Sequence, residues 1–154
     1  MAGRVATVDR AARLAQRNYE AARVQYAELV TSRPTDSDAL SNLGIALAAL
    51  GRRDEATRAF ERAVDVDPGN GLSQRNLALH LLEQNDFEGA VRHARDAVRL
   101  TPSDPPAHNL LGLALVGQGK TSEAIGEFRT SLALRPTDND AASYLERTLA
   151  VANR

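Results

Sequence analysis

The sequence predicts an all-α fold in which antiparallel helical hairpins pack on one another in an array. Four prolines recur at an interval of 34 residues, at Pro34, Pro68, Pro102 and Pro136. Within each interval apolar residues occur twice at helical spacing, and a glycine or asparagine separates the two apolar stripes. Because one hairpin cannot bury its own apolar faces, the repeated units are expected to stack.

Length and composition fit this prediction. The chain of 154 residues is long enough for one domain, and 43% of its residues are hydrophobic. Aromatic residues make up only 4% and tryptophan is absent, so the core has to be built mainly from alanine, leucine and valine. Such small side chains suit closely packed helices.

Charge and hydrophobicity argue against nucleic acid and a bilayer as partners. The net charge is −1 with acidic and basic residues interspersed, which gives no electrostatic basis for nucleic-acid binding. No apolar run approaches the roughly 18 residues that span a bilayer, so we predict no membrane insertion. The absence of cysteine fits the cytoplasm, while a periplasmic location or attachment to an envelope complex stays open.

The first repeat is expected to be degenerate and to cover residues 3–36. The stretch AQRNYEAARVQYAELVTSRP has Ala22, Tyr26 and Pro34 in phase with the later repeats and predicts a turn followed by a second helix. The preceding helix is weak, because Arg10 stands where a leucine is expected. The alternative is a frayed basic tail.

Three full repeats follow, at residues 37–70, 71–104 and 105–138. Gly51, Asn85 and Gly119 lie between the two helices of each repeat, where a left-handed residue ends the first helix. The later prolines of the 34-residue series end the second helices, since proline cannot donate the helical N–H. Residues 139–154 are predicted to form a single capping helix, because Glu146 occupies a position where a following helix would bury it.

The 34-residue unit resembles the tetratricopeptide repeat. The residues that carry the resemblance in the first full repeat are Leu43, Gly44, Leu47, Ala56, Phe60, Ala63 and Pro68; in the third they are Leu111, Gly112, Leu115, Ala124, Phe128, Ser131 and Pro136. The second repeat departs from the pattern with Ala78 and Ala94, and Phe87 is expected to compensate in part. The resemblance implies a right-handed superhelical solenoid of antiparallel helical hairpins that forms a single domain over residues 1–154.

The resemblance also implies a concave groove lined by the first helix of each repeat. Its predicted peptide-binding residues are Ser41, Asn42, Ile45, Ala48, Ala49, Arg75, Asn76, Leu79, Leu82, Glu83, Asn109, Leu113 and Val116. Further positions implied in the same way are Asp38, Leu72, Pro106, Leu110, Gly117, Asp140, Ser143, Tyr144 and Arg147.

The residues themselves favour a partly apolar partner. Ile45, Leu79 and Leu113 are additional to the buried stripes of their helices, and an exposed apolar strip usually marks a partner site. The alternative is that these three side chains pack against adjacent repeats or the N-terminal helix. Members of the family that hold two carboxylates of a chaperone tail need basic residues where this chain has Pro106 and Leu110, which argues against such a ligand.

Catalysis is not predicted, and neither is a metal or a cofactor. His80, His93 and His108 fall at different repeat positions, and no pair has the i, i+4 spacing of a helical metal site. His80 and His108 are expected at helix interfaces and His93 on the solvated surface. The predicted function is a non-catalytic scaffold or adaptor that binds a peptide or amphipathic helix. The alternatives are a targeting or regulatory arm of a larger enzyme or envelope complex, and a scaffold that self-associates as a homo-oligomer.

Overall fold

A computed structural model describes the backbone of residues 2–152 and the side chains of residues 13–152. Within these residues the chain forms eight helices and no strand. The helices are α1 (Ala2–Ser32), α2 (Ser37–Ala49), α3 (Arg53–Val66), α4 (Gly71–Glu83), α5 (Phe87–Leu100), α6 (Pro105–Gly117), α7 (Thr121–Leu134) and α8 (Asn139–Ala152). The chain divides into two compact lobes, Met1–Asp67 with α1 to α3 and Pro68–Arg154 with α4 to α8.

The turns inside the three full repeats confirm the sequence prediction. Gly51, Asn85 and Gly119 have φ angles of 75°, 63° and 73°, in the left-handed region. Glycine adopts this region without steric cost and asparagine tolerates it, so each first helix ends where these residues occur. Each second helix ends two residues before a proline of the 34-residue series, again as predicted.

The N-terminal segment differs from the prediction. A single helix, α1, runs from Ala2 to Ser32, and the turn expected within residues 3–36 does not form. The position equivalent to Gly51 is Arg17, and an arginine strongly disfavours positive φ. The helix therefore continues through that point. The prediction about Arg10 concerns a side chain outside the described range.

The C-terminal part of α1 anchors the helix to its lobe. Val30 is buried in a cluster with Ala39, Leu40 and Ala63. The side chains of residues 13–20 are exposed. Only part of α1 is thus covered by the α2–α3 hairpin.

Two hairpins place an aromatic ring directly on a glycine. The ring of Phe60 lies over Gly44, where an added Cβ would be 2.7 Å from a ring carbon, and Phe128 lies over Gly112 at 2.5 Å. Both rings are buried. Any larger residue at these glycines would push the helices apart, which explains the predicted small positions.

The middle hairpin solves the same packing problem differently. Ala78 and Ala94 occupy the positions of the glycine and the aromatic residue, and both are fully buried in one cluster with Val91. Phe87 does not fill this hairpin as expected, because its ring lies against Gly117 at the end of α6. The aromatic side chain therefore packs between α5 and the next hairpin.

The last helix completes the second lobe. Ala141 and Thr148 of α8 are buried, and Tyr144 lies with its ring centroid 5.6 Å from that of Phe128. Glu146 is exposed, as expected for a helix with one solvated face.

Candidate functional site

Two neighbouring pockets lie along the first helices of the second lobe. The first, of about 420 Å³, is lined by Arg75, Asn76, Leu79, Pro106, Asn109, Leu110, Leu113, Arg135, Asp138, Asp140 and Tyr144. The second, of about 500 Å³, is lined by Leu113, Val116, Gly119, Thr121, Tyr144, Arg147, Thr148, Ala150 and Val151. Leu113 and Tyr144 belong to both pockets and separate them.

The shared wall is held by the hydrophobic core. Leu113 and Tyr144 are partly buried and pack against the cluster that contains Leu111 and Phe128. The Phe128 and Tyr144 rings meet at 40°. A wall fixed from behind in this way is already formed before any ligand binds, which lowers the ordering cost of binding.

The polar side chains of the first pocket are largely engaged within the protein. Arg75 Nη1 donates to Asp104 Oδ2 at 2.6 Å, and Asn109 Nδ2 donates to Asp138 Oδ2 at 3.1 Å. The two bonds are equivalent to each other and lie one repeat apart, and each connects a first helix to the aspartate that precedes the next helix of that kind or the last helix. Arg75 and Asn109 were predicted to bind a peptide, and in the structure both hydrogen-bond within the protein.

Aspartates before the first helices have a second role. Asp36 accepts a hydrogen bond from the Ala39 N–H at 2.9 Å, and Asp138 accepts one from the Ala141 N–H at 3.0 Å. These are N-cap bonds that satisfy donors at the helix start. Asp104 makes no such bond, and its carboxylate receives Arg75 instead.

The remaining predicted groove residues differ in exposure. Leu79 is 47% exposed, Val116 43% and Ile45 43%. Leu82 and Leu113 are partly buried and pack against the core cluster, so the alternative of packing within the array applies to Leu113. Of the other predicted residues, two are exposed, Ala49 and Glu83, and three are partly buried, Asn42, Ala48 and Asn76. Ser41 is buried, with 3% of its surface exposed.

These exposures reduce the predicted site. Ser41 presents almost no surface, which argues against a contact with a ligand. Ile45 belongs to the first lobe and lines neither of these pockets. The first pocket of the second lobe brings together five of the predicted peptide-binding residues, Arg75, Asn76, Leu79, Asn109 and Leu113, with four of the further implied positions, Pro106, Leu110, Asp140 and Tyr144. The second pocket adds Val116 and Arg147.

Sequence reasoning missed several pocket residues that lie off the predicted helix positions. Arg135 and Asp138 come from the turn between α7 and α8, and Thr148 and Val151 come from the end of α8. A signal existed for Asp138, because it stands one repeat after Asp104 and directly precedes a helix.

His93 and His108 hydrogen-bond to residues of neighbouring elements. His80 and His108 are buried, as predicted. His108 Nε2 lies 2.9 Å from the Pro102 carbonyl oxygen and Nδ1 lies 2.7 Å from Glu127 Oε2. One repeat earlier Gln74 takes the place of His108, and its Nε2 donates to the Pro68 carbonyl at 3.2 Å.

His93 is not the solvated surface residue that the sequence suggested. It is partly buried on α5, and its Nδ1 donates to Gln74 Oε1 at 2.8 Å. Arg92 donates to the other ring nitrogen, Nε2, at 3.3 Å. Both bonds are satisfied by the neutral ring with its proton on Nδ1.

The pKa of His93 is accordingly lowered below its ordinary value of 6.5, first by burial and then by the nearby Arg92 charge. The unfolded chain then binds more protons than the folded chain just below pH 6.5. The stability associated with neutral His93 is complete above that pH and is lost as the pH falls through the folded value.

We expect the NMR titration midpoint of the His93 ring in the folded protein to lie below that of a histidine in an unstructured peptide. The reason is that burial and Arg92 both oppose the charged ring. Arg92→Gln serves as the control and should move the midpoint upward. A midpoint at or above 6.5 would show that His93 is solvated after all.

The described part of the chain contains neither a metal-binding cluster nor a membrane-spanning helix. Across residues 13–152, no group of three or more histidine, aspartate or glutamate side chains is placed to hold a metal ion. None of the helices within the described part of the chain combines the length and apolarity needed to cross a bilayer.

Hairpins of 34-residue period and pockets along their first helices define an all-α helical repeat protein. A family model described as "Tetratricopeptide repeat" matches residues 12–71, 42–105 and 75–139. These matches cover most of the chain, so the protein belongs to the tetratricopeptide repeat family.

Solved structures of the same architecture confirm the predicted all-α repeat solenoid. MamA 41-end from Desulfovibrio magneticus RS-1 has a TM-score of 0.81 and 22% identity, covering 94% of this chain and 83% of that one. The first TPR of Spaghetti (RPAP3) bound to HSP90 peptide SRMEEVD has a TM-score of 0.74 and 24% identity, covering 77% and 94%. The second TPR domain of the human RPAP3 protein, in complex with HSP70 peptide SGPTIEEVD, has a TM-score of 0.68 and 27% identity, covering 71% and 91%. No curated protein matches this chain.

Proposed function

We propose that this protein is a non-catalytic scaffold or adaptor that binds a peptide or amphipathic helix of another protein on the α4, α6 and α8 surface of its second lobe. The observation that carries this proposal is the pair of adjoining pockets with exposed apolar side chains at Leu79 and Val116. Apolar patches of this kind on a soluble protein usually mark a partner site.

The pocket chemistry favours an apolar segment over an acidic tail. The two RPAP3 domains are bound to HSP90 and HSP70 peptides that end in EEVD. In this chain Pro106 and Leu110 line the first pocket where carboxylate-binding family members need basic residues. Of the charged residues there, Arg75 is paired with Asp104, and the one positive charge of Arg135 lines the same pocket as the two negative charges of Asp138 and Asp140. No net positive charge remains to attract carboxylates.

A short segment docked on this surface is expected to bind at micromolar strength, about −8 kcal/mol. Neither nucleic acid nor a cofactor forms part of the proposal.

Affinity capture from a lysate of the source organism tests the proposal, with wild type and Leu79→Glu as baits. A buried ligand side chain at Leu79 would face a charge in the variant, so binding should fall at least tenfold, about 1.4 kcal/mol. The matched control is Leu134→Glu, because Leu134 on α7 is 42% exposed, close to the 47% of Leu79, and lies outside both pockets.

A partner retained by wild type and by Leu134→Glu but lost with Leu79→Glu would support the site. Retention of the same proteins by all three baits would contradict it. Circular dichroism must show that the three baits are equally folded.

Two alternatives keep the fold and change the partner. One is a targeting or regulatory arm of a larger enzyme or envelope complex. The other is self-association, which the exposed Leu14 and Tyr19 of α1 favour. A mass in solution above the 16.6 kDa of the single chain, lost in Leu14→Glu, would support the second alternative.

A further inference from the structure

We propose that two copies of this chain pair through α1, with the helices antiparallel, along an uncharged strip formed by Ala15, Tyr19, Ala22, Tyr26 and Leu29. This goes beyond ligand binding in the second lobe and gives self-association a surface and an orientation. Three features of α1 carry the proposal: an open side, the absence of charge along the strip, and a pattern of large and small residues that is complementary to itself.

One side of α1 is open to a further helix. In the second lobe α5 packs against both α4 and α6, and α7 packs against both α6 and α8. Among the residues that the structure describes, only α2 has its backbone close to that of α1. Tyr19 is 41% exposed, and the strip residues that follow it are only partly buried: Ala22, Tyr26 and Leu29. The strip is therefore accessible to a partner helix.

The strip has the spacing of a helix–helix contact and carries no charge. Its members follow one another at intervals of four, three, four and three residues, which places them on one face of the helix. The charged residues between positions 13 and 30 lie off this face: Arg13, Arg17, Glu20, Arg23 and Glu28. Arg23, at the edge of the strip, donates to Glu20 at 2.6 and 2.9 Å. A charged ligand finds no partner on the strip, whereas a second copy presents the same uncharged face.

The strip is complementary to itself when the two helices run antiparallel. With a twofold axis between positions 20 and 21, Tyr19 lies opposite the second copy's Ala22. Tyr26 then lies opposite the second copy's Ala15. Parallel pairing in register would instead set tyrosine against tyrosine and alanine against alanine. Elsewhere the chain packs aromatic rings on small residues in the same way: Phe60 on Gly44, Phe128 on Gly112 and Phe87 on Gly117.

The position of the α2–α3 hairpin also favours antiparallel pairing. The hairpin lies against the C-terminal part of α1, where Val30 is buried, and leaves the side chains of residues 13–20 exposed. In the antiparallel pair the exposed half of each helix meets the half of the other that carries the hairpin. The two hairpins then lie at opposite ends of the pair, whereas parallel pairing would bring them to the same end.

The size of the contact sets its expected strength. Because α1 ends at Ser32, the antiparallel helices overlap by about 24 residues, or about 36 Å at 1.5 Å per residue. A contact between one pair of helices lies at the low end of specific interfaces. We therefore expect a dimer with a dissociation constant in the micromolar range.

Sedimentation equilibrium of the full chain between about 5 and 500 µM tests the proposal. At the upper concentrations the wild-type mass should approach twice the 16.6 kDa of the single chain. Tyr19→Glu places a charge in the uncharged contact and should raise the dissociation constant at least tenfold, about 1.4 kcal/mol. Ala15→Glu, at a second exposed position of the strip, should act in the same way.

The matched control is Val24→Glu. Val24 is 42% exposed, close to the 41% of Tyr19, and lies on the side of α1 away from the strip. This variant should change the dissociation constant by less than about twofold. Circular dichroism must show that the variants are as helical as wild type.

Distances between spin labels in the dimer test the orientation. The chain has no cysteine, so Ala21→Cys and Thr31→Cys each introduce one labelling site, and both positions are exposed. Antiparallel pairing separates the two copies of position 21 by about 2 Å along the helix axis and those of position 31 by about 32 Å. Parallel pairing would make both separations short.

Several results would overturn the proposal. Wild type that stays at the single-chain mass at all concentrations would leave the strip to a helix of another protein. Dimers that tolerate both Tyr19→Glu and Ala15→Glu, or short distances for both labels, would also contradict it. Leu79→Glu should dimerise like wild type, and loss of the dimer in this variant would place the second copy in the pockets. Partner capture and dimerisation thus depend on different residues, so one proposal can fail while the other stands.

Discussion

Replacing Phe128 with alanine is expected to lower the free energy of unfolding by about 3–5 kcal/mol. The ring is completely buried, lies over Gly112 on one side and packs against Tyr144 on another. Its removal leaves a cavity between α6, α7 and α8 that the backbone can close only in part. Chemical denaturation of the full chain measures the loss.

The same substitution should also weaken binding at the pockets. Tyr144 forms part of the wall between them, and Phe128 holds its ring from behind. Leu134→Ala, which removes an exposed side chain from the same helix, is the control and should change stability by less than about 0.5 kcal/mol. A loss below about 1 kcal/mol for Phe128→Ala would mean that the ring is not a packing centre.

Ala94→Phe is expected to destabilise the protein by about 1–3 kcal/mol, although it restores the aromatic residue of the other repeats. In those repeats the ring lies over a glycine, and a Cβ on Gly112 would come within 2.5 Å of it. Ala78 supplies such a Cβ in the middle hairpin. Adding Ala78→Gly should therefore recover part of the loss, which requires a coupling energy larger than the cost of Ala78→Gly alone, about 1–3 kcal/mol.

The four proteins of this cycle are compared by chemical denaturation. Ala78→Gly alone should cost about 1 kcal/mol, because glycine is a poor helix former. If the two losses simply add, so that the double variant is less stable than Ala94→Phe, the two alanines are not a matched pair. If the double variant is more stable than the sum of the two losses predicts, the middle repeat replaces both members of the glycine–aromatic pair together.

Most of the fold could be predicted because the residues that end its helices act locally. Gly51, Asn85 and Gly119 act on their own backbone angles, and the prolines act on the residues just before them, so their positions determine the helix bounds. The same rule explains the error in the first segment. Arg17 at the equivalent position removes the turn, and that signal was present in the sequence.

Side-chain partners were much harder to predict than helices. The bond from His93 to Gln74 joins two helices of one hairpin, and the bond from Arg75 to Asp104 joins residues 29 apart in the sequence. Such pairs come together only after the helices pack, and helical periodicity does not specify which polar groups meet. For the same reason Phe87 was placed in the wrong hairpin.

The candidate site combines residues that repeat position predicts with residues that only the packing of the helices brings in. Its apolar residues on α4 and α6 follow from repeat position: Leu79, Leu113 and Val116, predicted as peptide-binding residues, all line the pockets, and their role in binding stays a prediction. Arg135 and Asp138 lie in a turn, whose contribution to the pocket depends on how α7 leads into α8. The sequence also left unknown that Leu113 and Tyr144 divide the surface into two pockets.

Mapping the binding segment of the captured partner onto the protein by amide chemical-shift changes tests the binding surface most directly. If the partner binds the proposed surface, the largest changes on titration will lie on α4, α6 and α8, around Leu79, Leu113 and Tyr144. Largest changes on α5 and α7, with these three residues unaffected, would place the binding surface elsewhere.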